Sequence, residues 1–429
     1  MKRHLFLCAL LMAMTLTAQT DGVSHARRVL DLLRQEKFAD VAKEFNAQMA
    51  AALPAQTLAQ VWAAMRTQVG EFKSESSQQS ANAGGVNVVT LGVQFERAAA
   101  NMVVAFDAEN KIAGLQFVPR PAEAPAASLP AGLTEEAFTV GSGQFALPGT
   151  LTLPPGTARV AAVVLVHGSG PEDRDETIGP NRPFRDLAWG LASRGVAVLR
   201  YEKRTRQYAA AMAQNANLTV REEAIDDAVL AEQALRRHAR IEANKVYIAG
   251  HSLGGMLAPR IGQEDRSIAG LILLAGNIRP LPELIVEQTE YQASLSASPA
   301  AAQATIAALK AQAAKIMDPA LSLSTPASEL MGVPAAYWKD LNTYKPGAVA
   351  ASLTMPMLIL QGERDYQVTM KDFEAWKEAL RGRTNVTFKS YPDLNHLFVT
   401  GTGKSTPAEY EKPGKVSETV MNDIAAWVK

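Results

Sequence analysis

The chain has 429 residues, 47% of them hydrophobic, enough for at least one large core and, by length, for two or more domains; a disordered or fibrous protein is excluded. Its 43 basic and 43 acidic side chains cancel, so no global field draws it toward nucleic acid or an anionic membrane, and small neutral partners are favoured. The one cysteine, Cys8, falls in an N-terminal apolar run, so the rest of the chain has neither a disulfide framework nor a thiolate nucleophile or metal ligand.

Lys2 and Arg3, the apolar run from Leu5 to Leu16 and small residues around Ala18 read as a signal peptide over residues 1–20. The run is shorter than the ~20 residues a membrane span needs. The expectation is an exported protein, periplasmic or extracellular, without a stable membrane anchor. Over residues 21–118, helical spacing (Val29, Leu32, Leu33; Val41, Phe45, Met49; Leu58, Val61, Trp62, Met65) gives way to β-rich runs at Val86–Phe95, Met102–Phe106 and Ile112–Val118. This predicts a small α+β domain. Residues 119–132 turn to Pro and Ala and read as a linker.

Beyond 133 the chain opens with a hairpin-like pair of short strands and then alternates strand with helix. Its strands are continuous apolar runs, such as Val160–Val166 and Ala269–Leu274. That pattern belongs to a mostly parallel, doubly wound α/β sheet covered on both faces, with ligand sites at the carboxyl ends of its strands. Between about 277 and 353 the rhythm breaks into an Ala-rich, Pro-punctuated helical stretch, expected as a lid. Its Tyr337 and Trp338 are candidates for the substrate-binding wall, which predicts a preference for acetyl to hexanoyl groups.

Gly250-His-Ser252-Leu-Gly254 follows a hydrophobic strand and precedes a helix pattern. A serine on such a sharp turn has its hydroxyl exposed, and it needs a base because its own pKa makes it a poor nucleophile. On this kind of elbow the acid and then the histidine follow along the chain. Five of the six histidines precede Ser252, leaving His396. Asp365 is the preferred orienting carboxylate, with Glu363 and Asp393 as alternatives; Glu363 is the natural salt-bridge partner of Arg364, and Asp393 a turn residue. For the oxyanion hole the candidates are the N–H groups of Leu253 and of Ser169, in the loop His167-Gly-Ser-Gly170 after a strand. The charged stretches Glu172–Asp175 and Tyr201–Arg204 also follow strands, where either could touch substrate, but they are expected to be solvated or mutually paired. No phosphate loop, dinucleotide fingerprint or histidine-containing metal spacing occurs, so no cofactor or metal is expected.

Taken together, His167-Gly-Ser-Gly-Pro-Glu-Asp-Arg-Asp175, Ile178-Gly-Pro-Asn181, Pro183-Phe184, Gly250-His-Ser-Leu-Gly-Gly255, Gln361-Gly-Glu-Arg-Asp-Tyr-Gln-Val368 and Asn395-His396 resemble the bacterial exported α/β-hydrolase-fold esterases with a small N-terminal accessory domain of unknown function. The resemblance spans Leu133 to Lys429 for the hydrolase and Val23 to Val118 for the accessory domain. It implies hydrolysis of short acyl esters, small molecules, through Ser252, Asp365 and His396 without a cofactor. A serine peptidase of the same fold and a non-catalytic binding module on that fold are the competing readings.

Overall fold

The computed structural model describes residues 22–83, 86–120, 128–295 and 302–429, so the expected signal peptide and half of the expected linker, residues 121–127, lie outside the described residues. The chain separates into two compact units, divided between Glu123 and Ala124. Among the described residues no helix is long and apolar enough to cross a membrane.

The first unit begins with helices α1 (22–34), α2 (Phe38–Lys43), α3 (Ala47–Ala52) and α4 (Ala55–Val69). A four-stranded antiparallel sheet follows, β1 (Phe72–Ala83), β2 (Val86–Phe95), β3 (Ala99–Phe106) and β4 (Ile112–Arg120), its strands adjacent in chain order. The helices bury one stripe, Ala26, Val29, Leu30 and Leu33 on α1 and Leu58 and Trp62 on α4, as a 3.6-residue period requires. The sheet buries alternate residues, Val89, Leu91, Val93 and Phe95 on β2 and Met102, Val104 and Phe106 on β3. Strand β1 has no counterpart in the sequence expectations. Its residues are mainly Ser, Gln, Glu and Asn, so it carries no apolar alternation; backbone pairing with β2, from Phe72 opposite Phe95 to Ala83 opposite Val86, defines it. Strand β4 runs on to Arg120, into the stretch expected as linker.

The second unit is built on eight strands: β5 (Thr134–Val140), β6 (Leu147–Leu153), β7 (Val160–Val166), β8 (Ala197–Tyr201), β9 (Ile241–His251), β10 (Gly270–Leu274), β11 (Met357–Gly362) and β12 (Val386–Tyr391). They lie in the order β12-β11-β10-β9-β7-β8-β6-β5. All pairs from β8 to β12 are parallel, and the hairpin β5–β6 adds to β8 antiparallel. Helices α5 (Pro183–Ala192), the short α6 (Arg204–Gln207) and α7 (Ala209–Ala213), α8 (Asp226–Arg236) and α9 (Leu253–Glu264) fall between these strands. Between β10 and β11 the chain passes through α10 (Leu281–Ser294), α11 (Gln303–Met317), α12 (Ala335–Thr343) and α13 (Pro346–Ser352); α14 (Met370–Ala379) and α15 (Glu418–Val428) complete the unit.

Alternate residues of one strand feed two different cores. Val164, Leu199, Ile248, Leu271 and Leu273 pack with α8, α9 and the inserted helices, whereas Val163, Val198, Ala249, Ile272 and Leu274 pack with α5 and α15. Burial on both faces explains why these strands read as unbroken apolar runs. Pro334 and Pro346, at the starts of α12 and α13, begin helices rather than interrupt them, since a proline at the first turn sacrifices no intrahelical hydrogen bond.

Candidate active site

Ser252 stands between the last residue of β9 and the first of α9, with φ 53° and ψ −117°. A side chain at positive φ is strained and persists only where its surroundings over-determine it. Glycines provide that constraint. A Cβ on Gly250 would fall 2.1 Å from the Gly254 carbonyl oxygen, one on Gly254 2.3 Å from that of Val166, and one on Gly255 2.7 Å from the Gly276 Cα. The backbone is pinned as well: Ser252 N donates to Leu274 O at 2.9 Å, and Met256 N to Ser252 O at 3.0 Å.

The turn after β12 carries His396. Asn395 Oδ1 accepts from the N–H groups of Leu397 and Val399, both at 3.1 Å, which shapes the loop around the ring. His396 Nδ1 donates to Asp365 Oδ2 at 2.6 Å, both side chains buried. A carboxylate accepts, so Nδ1 carries the proton and Nε2 is left as the basic nitrogen. Asp365 is itself held: Oδ1 accepts from Gln367 N at 2.7 Å and Val368 N at 3.0 Å, and Oδ2 also from Gln361 Nε2 at 3.1 Å. Neither alternative acid reaches the ring. Glu363 is exposed and accepts from Ser390 Oγ at 2.7 Å, and Asp393 is an exposed turn residue. The expected pairing of Glu363 with Arg364 does not occur, because the guanidinium turns to Glu409 and the carbonyls of Thr402 and Gly403.

The loop after β7 lies against the serine: a Cβ on Gly168 would sit 3.3 Å from the Ser252 Cβ. Gly168 N donates to Glu176 Oε1 at 2.6 Å, while Lys203 Nζ donates to the carbonyls of Gly168 and Gly170 at 2.7 and 2.9 Å. Among the described residues no acceptor takes the N–H of Ser169 or Leu253.

Sequence reasoning missed three side chains here. Lys203 belongs to a stretch expected to be solvated or paired, but it is buried and fastens the loop. Glu176 lies one residue past the other charged stretch. His251, within the Gly-x-Ser-x-Gly run, was set aside when His396 was selected. Its Nε2 donates to the His396 carbonyl at 3.0 Å, and its Nδ1 lies 2.9 Å from Glu176 Oε2 as a close charge contact rather than an aligned hydrogen bond, so the neighbouring carboxylate favours the imidazolium. Burial pushes His251 down, but the Glu176 carboxylate outweighs it and the pKa is raised; burial pushes Glu176 up, but His251 outweighs it and the pKa is lowered. The visible signal was charge placed just after strands, at the carboxyl edge of the sheet.

Ser252 and Ser169 open into a cavity of about 640 Å³. Leu281, Leu284 and Ile285 of α10 and Met331 and Val333 wall it from the insertion, and Met212 and Leu218 line it as well. Tyr337 and Trp338 also line it, but both are more than nine-tenths buried, with Trp338 Nε1 donating to Leu330 O at 2.8 Å.

Residues 157–402 match the family described as serine aminopeptidase, S33, and residues 26–115 the family described as protein of unknown function (DUF3887). Esterase EstD of Thermotoga maritima is 37% identical over 400 residues, 92% of each chain. Similar solved structures include Est1E from Butyrivibrio proteoclasticus, at 16% identity and TM-score 0.44 over 68% of this chain and 98% of that one. The hyperthermophilic esterase from Pyrobaculum calidifontis follows at 17% identity and TM-score 0.43, over 69% and 85%.

Proposed function

The chain belongs to the family described as serine aminopeptidase, S33, and from that premise we propose that it is a serine carboxylesterase that cleaves small acyl esters through an acyl-enzyme on Ser252. The observation that carries this reading is the buried 2.6 Å pair of His396 and Asp365, on loops that follow the adjacent strands β12 and β11, with β10 alone between them and β9, the strand that leads into Ser252. Ser252 Oγ attacks the acyl carbonyl as His396 Nε2 takes its proton, and Asp365 stabilises the resulting imidazolium. The carbonyl oxygen gains charge beside the N–H groups of Ser169 and Leu253. His396 returns the proton to the departing alkoxide; water then repeats the sequence on the acyl-enzyme and releases the acid.

Two considerations favour an ester over a peptide. Esterase EstD, the relative at 37% identity, carries that activity in its name. An aminopeptidase also needs an anion for the substrate's ammonium group. Among the described residues the one carboxylate lining the cavity is Glu223, already taken by Lys203 at 2.8 Å and the Tyr337 hydroxyl at 2.5 Å. Rates on p-nitrophenyl butyrate and on aminoacyl p-nitroanilides test this: the ester is hydrolysed and the anilides are not, and the opposite ranking makes the protein a peptidase.

The pattern over residues 1–20 supports export to the periplasm or medium. N-terminal sequencing of protein recovered from those fractions tests it, since an intact Met1 end contradicts cleavage.

A further inference from the structure

Lys203 lies two residues past β8, at the N-cap of α6, and is 2% exposed. Its ammonium donates to Gly168 O at 2.7 Å and Gly170 O at 2.9 Å and is ion-paired with Glu223 Oε1 at 2.8 Å. Glu223 sits in the single π-helical turn Arg221–Ile225 ahead of α8, and its Oε2 accepts from the Tyr337 hydroxyl of α12 at 2.5 Å. An unbroken chain of contacts therefore runs from the inserted helices to the loop beside Ser252.

The covalent geometry gives this chain a consequence. The Gly168 carbonyl and the Ser169 N–H belong to one planar trans peptide and point in opposite directions. Drawing the Gly168 oxygen toward Lys203 aims the Ser169 N–H away from it, while Glu176 anchors the other side of Gly168 through its N–H. The carbonyl of Gly170, at φ 98°, is held by the same ammonium, so the loop is tied on both sides of Ser169. A buried lysine and glutamate gain little net stability from their attraction once desolvation is counted, so their value here lies in fixing one geometry.

We propose that Lys203 is a positioning residue that sets the direction of the Ser169 N–H in the oxyanion hole, and that Tyr337 of the inserted helices sets Lys203 through Glu223. This rests on the esterase mechanism above and adds to it a link between the wall of the cavity and the stabilisation of the transition state. Glu223 is thereby a structural anion rather than a substrate ligand.

The test compares Lys203→Met, Tyr337→Phe and Ser252→Ala in the full-length protein, reading kcat, KM and the inhibition constant of a short-chain trifluoromethyl ketone, whose adduct with Ser252 places an oxyanion in the hole. Lys203→Met is expected to lower kcat about 100-fold, the order lost with an oxyanion donor, with KM within threefold and the ketone's inhibition constant raised in parallel with the loss. Tyr337→Phe removes one hydroxyl and is expected to lower kcat about fivefold with the same parallel. Should Lys203→Met fail to fold, Tyr337→Phe decides. Normal kcat and ketone affinity in a folded variant overturn the link while an inactive Ser252→Ala leaves the esterase mechanism standing; an active Ser252→Ala overturns the mechanism itself.

Discussion

His251 Nε2 donates to the backbone carbonyl of His396 at 3.0 Å, and the two rings lie 4.6 Å apart. The residue before the nucleophile thus holds the loop that carries the base, and through Glu176 it also holds Gly168 beside the oxyanion site. One buried ion pair ties together three loops from three different strands.

Removing the charge with Glu176→Gln should lower stability by about 3 kcal/mol, because a buried cation then lacks its partner. His251, raised above 6.5, contributes fully below about that pH and loses its contribution as pH rises through the folded value. Glu176, lowered below 4.5, contributes above about that pH and loses it as pH falls through its folded value. The loss in Tm relative to the unmodified protein should therefore be larger at pH 6 than at pH 9. An equal loss at both would mean the pair is not ionised.

Ser252→Ala and His396→Ala should each abolish nearly all ester hydrolysis without unfolding the protein, and the double variant should be hardly worse, because nucleophile and base act as a unit. Additive losses, measured by kcat/KM, would contradict that coupling.

Asp365→Asn should cost about 10⁴-fold in kcat by allowing the wrong tautomer of His396. Glu363→Gln, which disturbs only a hydrogen bond from Ser390 to the exposed Glu363, should stay within twofold. Steady-state kinetics on p-nitrophenyl butyrate separate the two, and the reverse ranking would move the acid to Glu363.

These catalytic candidates were legible for local reasons. A strand, a glycine-flanked serine and a helix are contiguous in the chain, and His396 is the last of six histidines, the only one after Ser252. The apolar strands were legible because both of their faces are buried. What was not legible depends on contacts distant in sequence: Lys203 reaches back 35 residues to Gly168, and Tyr337 is 114 residues from Glu223. Strand β1 escaped for a related reason, since its pairing with β2 uses backbone groups that every residue has.

Acyl selectivity follows from the cavity wall. kcat/KM should peak between acetyl and hexanoyl esters, each methylene adding at most ~0.8 kcal/mol until the wall is reached. Ile285, partly buried on α10, lines that wall, and Ile285→Ala should move the peak to longer chains. A p-nitrophenyl ester series checks both; a maximum at twelve or more carbons in the unmodified protein, or activation at an oil–water interface, would make the insertion a lipase lid.

Labelling with a fluorophosphonate probe tests the central claim most directly, because the probe reacts with an activated serine and not with an ordinary hydroxyl. After tryptic digestion the label should sit on Ser252, in the peptide from Val246 to Arg260, and should be absent in Ser252→Ala and strongly reduced in His396→Ala. Active enzyme without label on that peptide, or equal labelling of the Ser252→Ala protein, would contradict a nucleophile at Ser252.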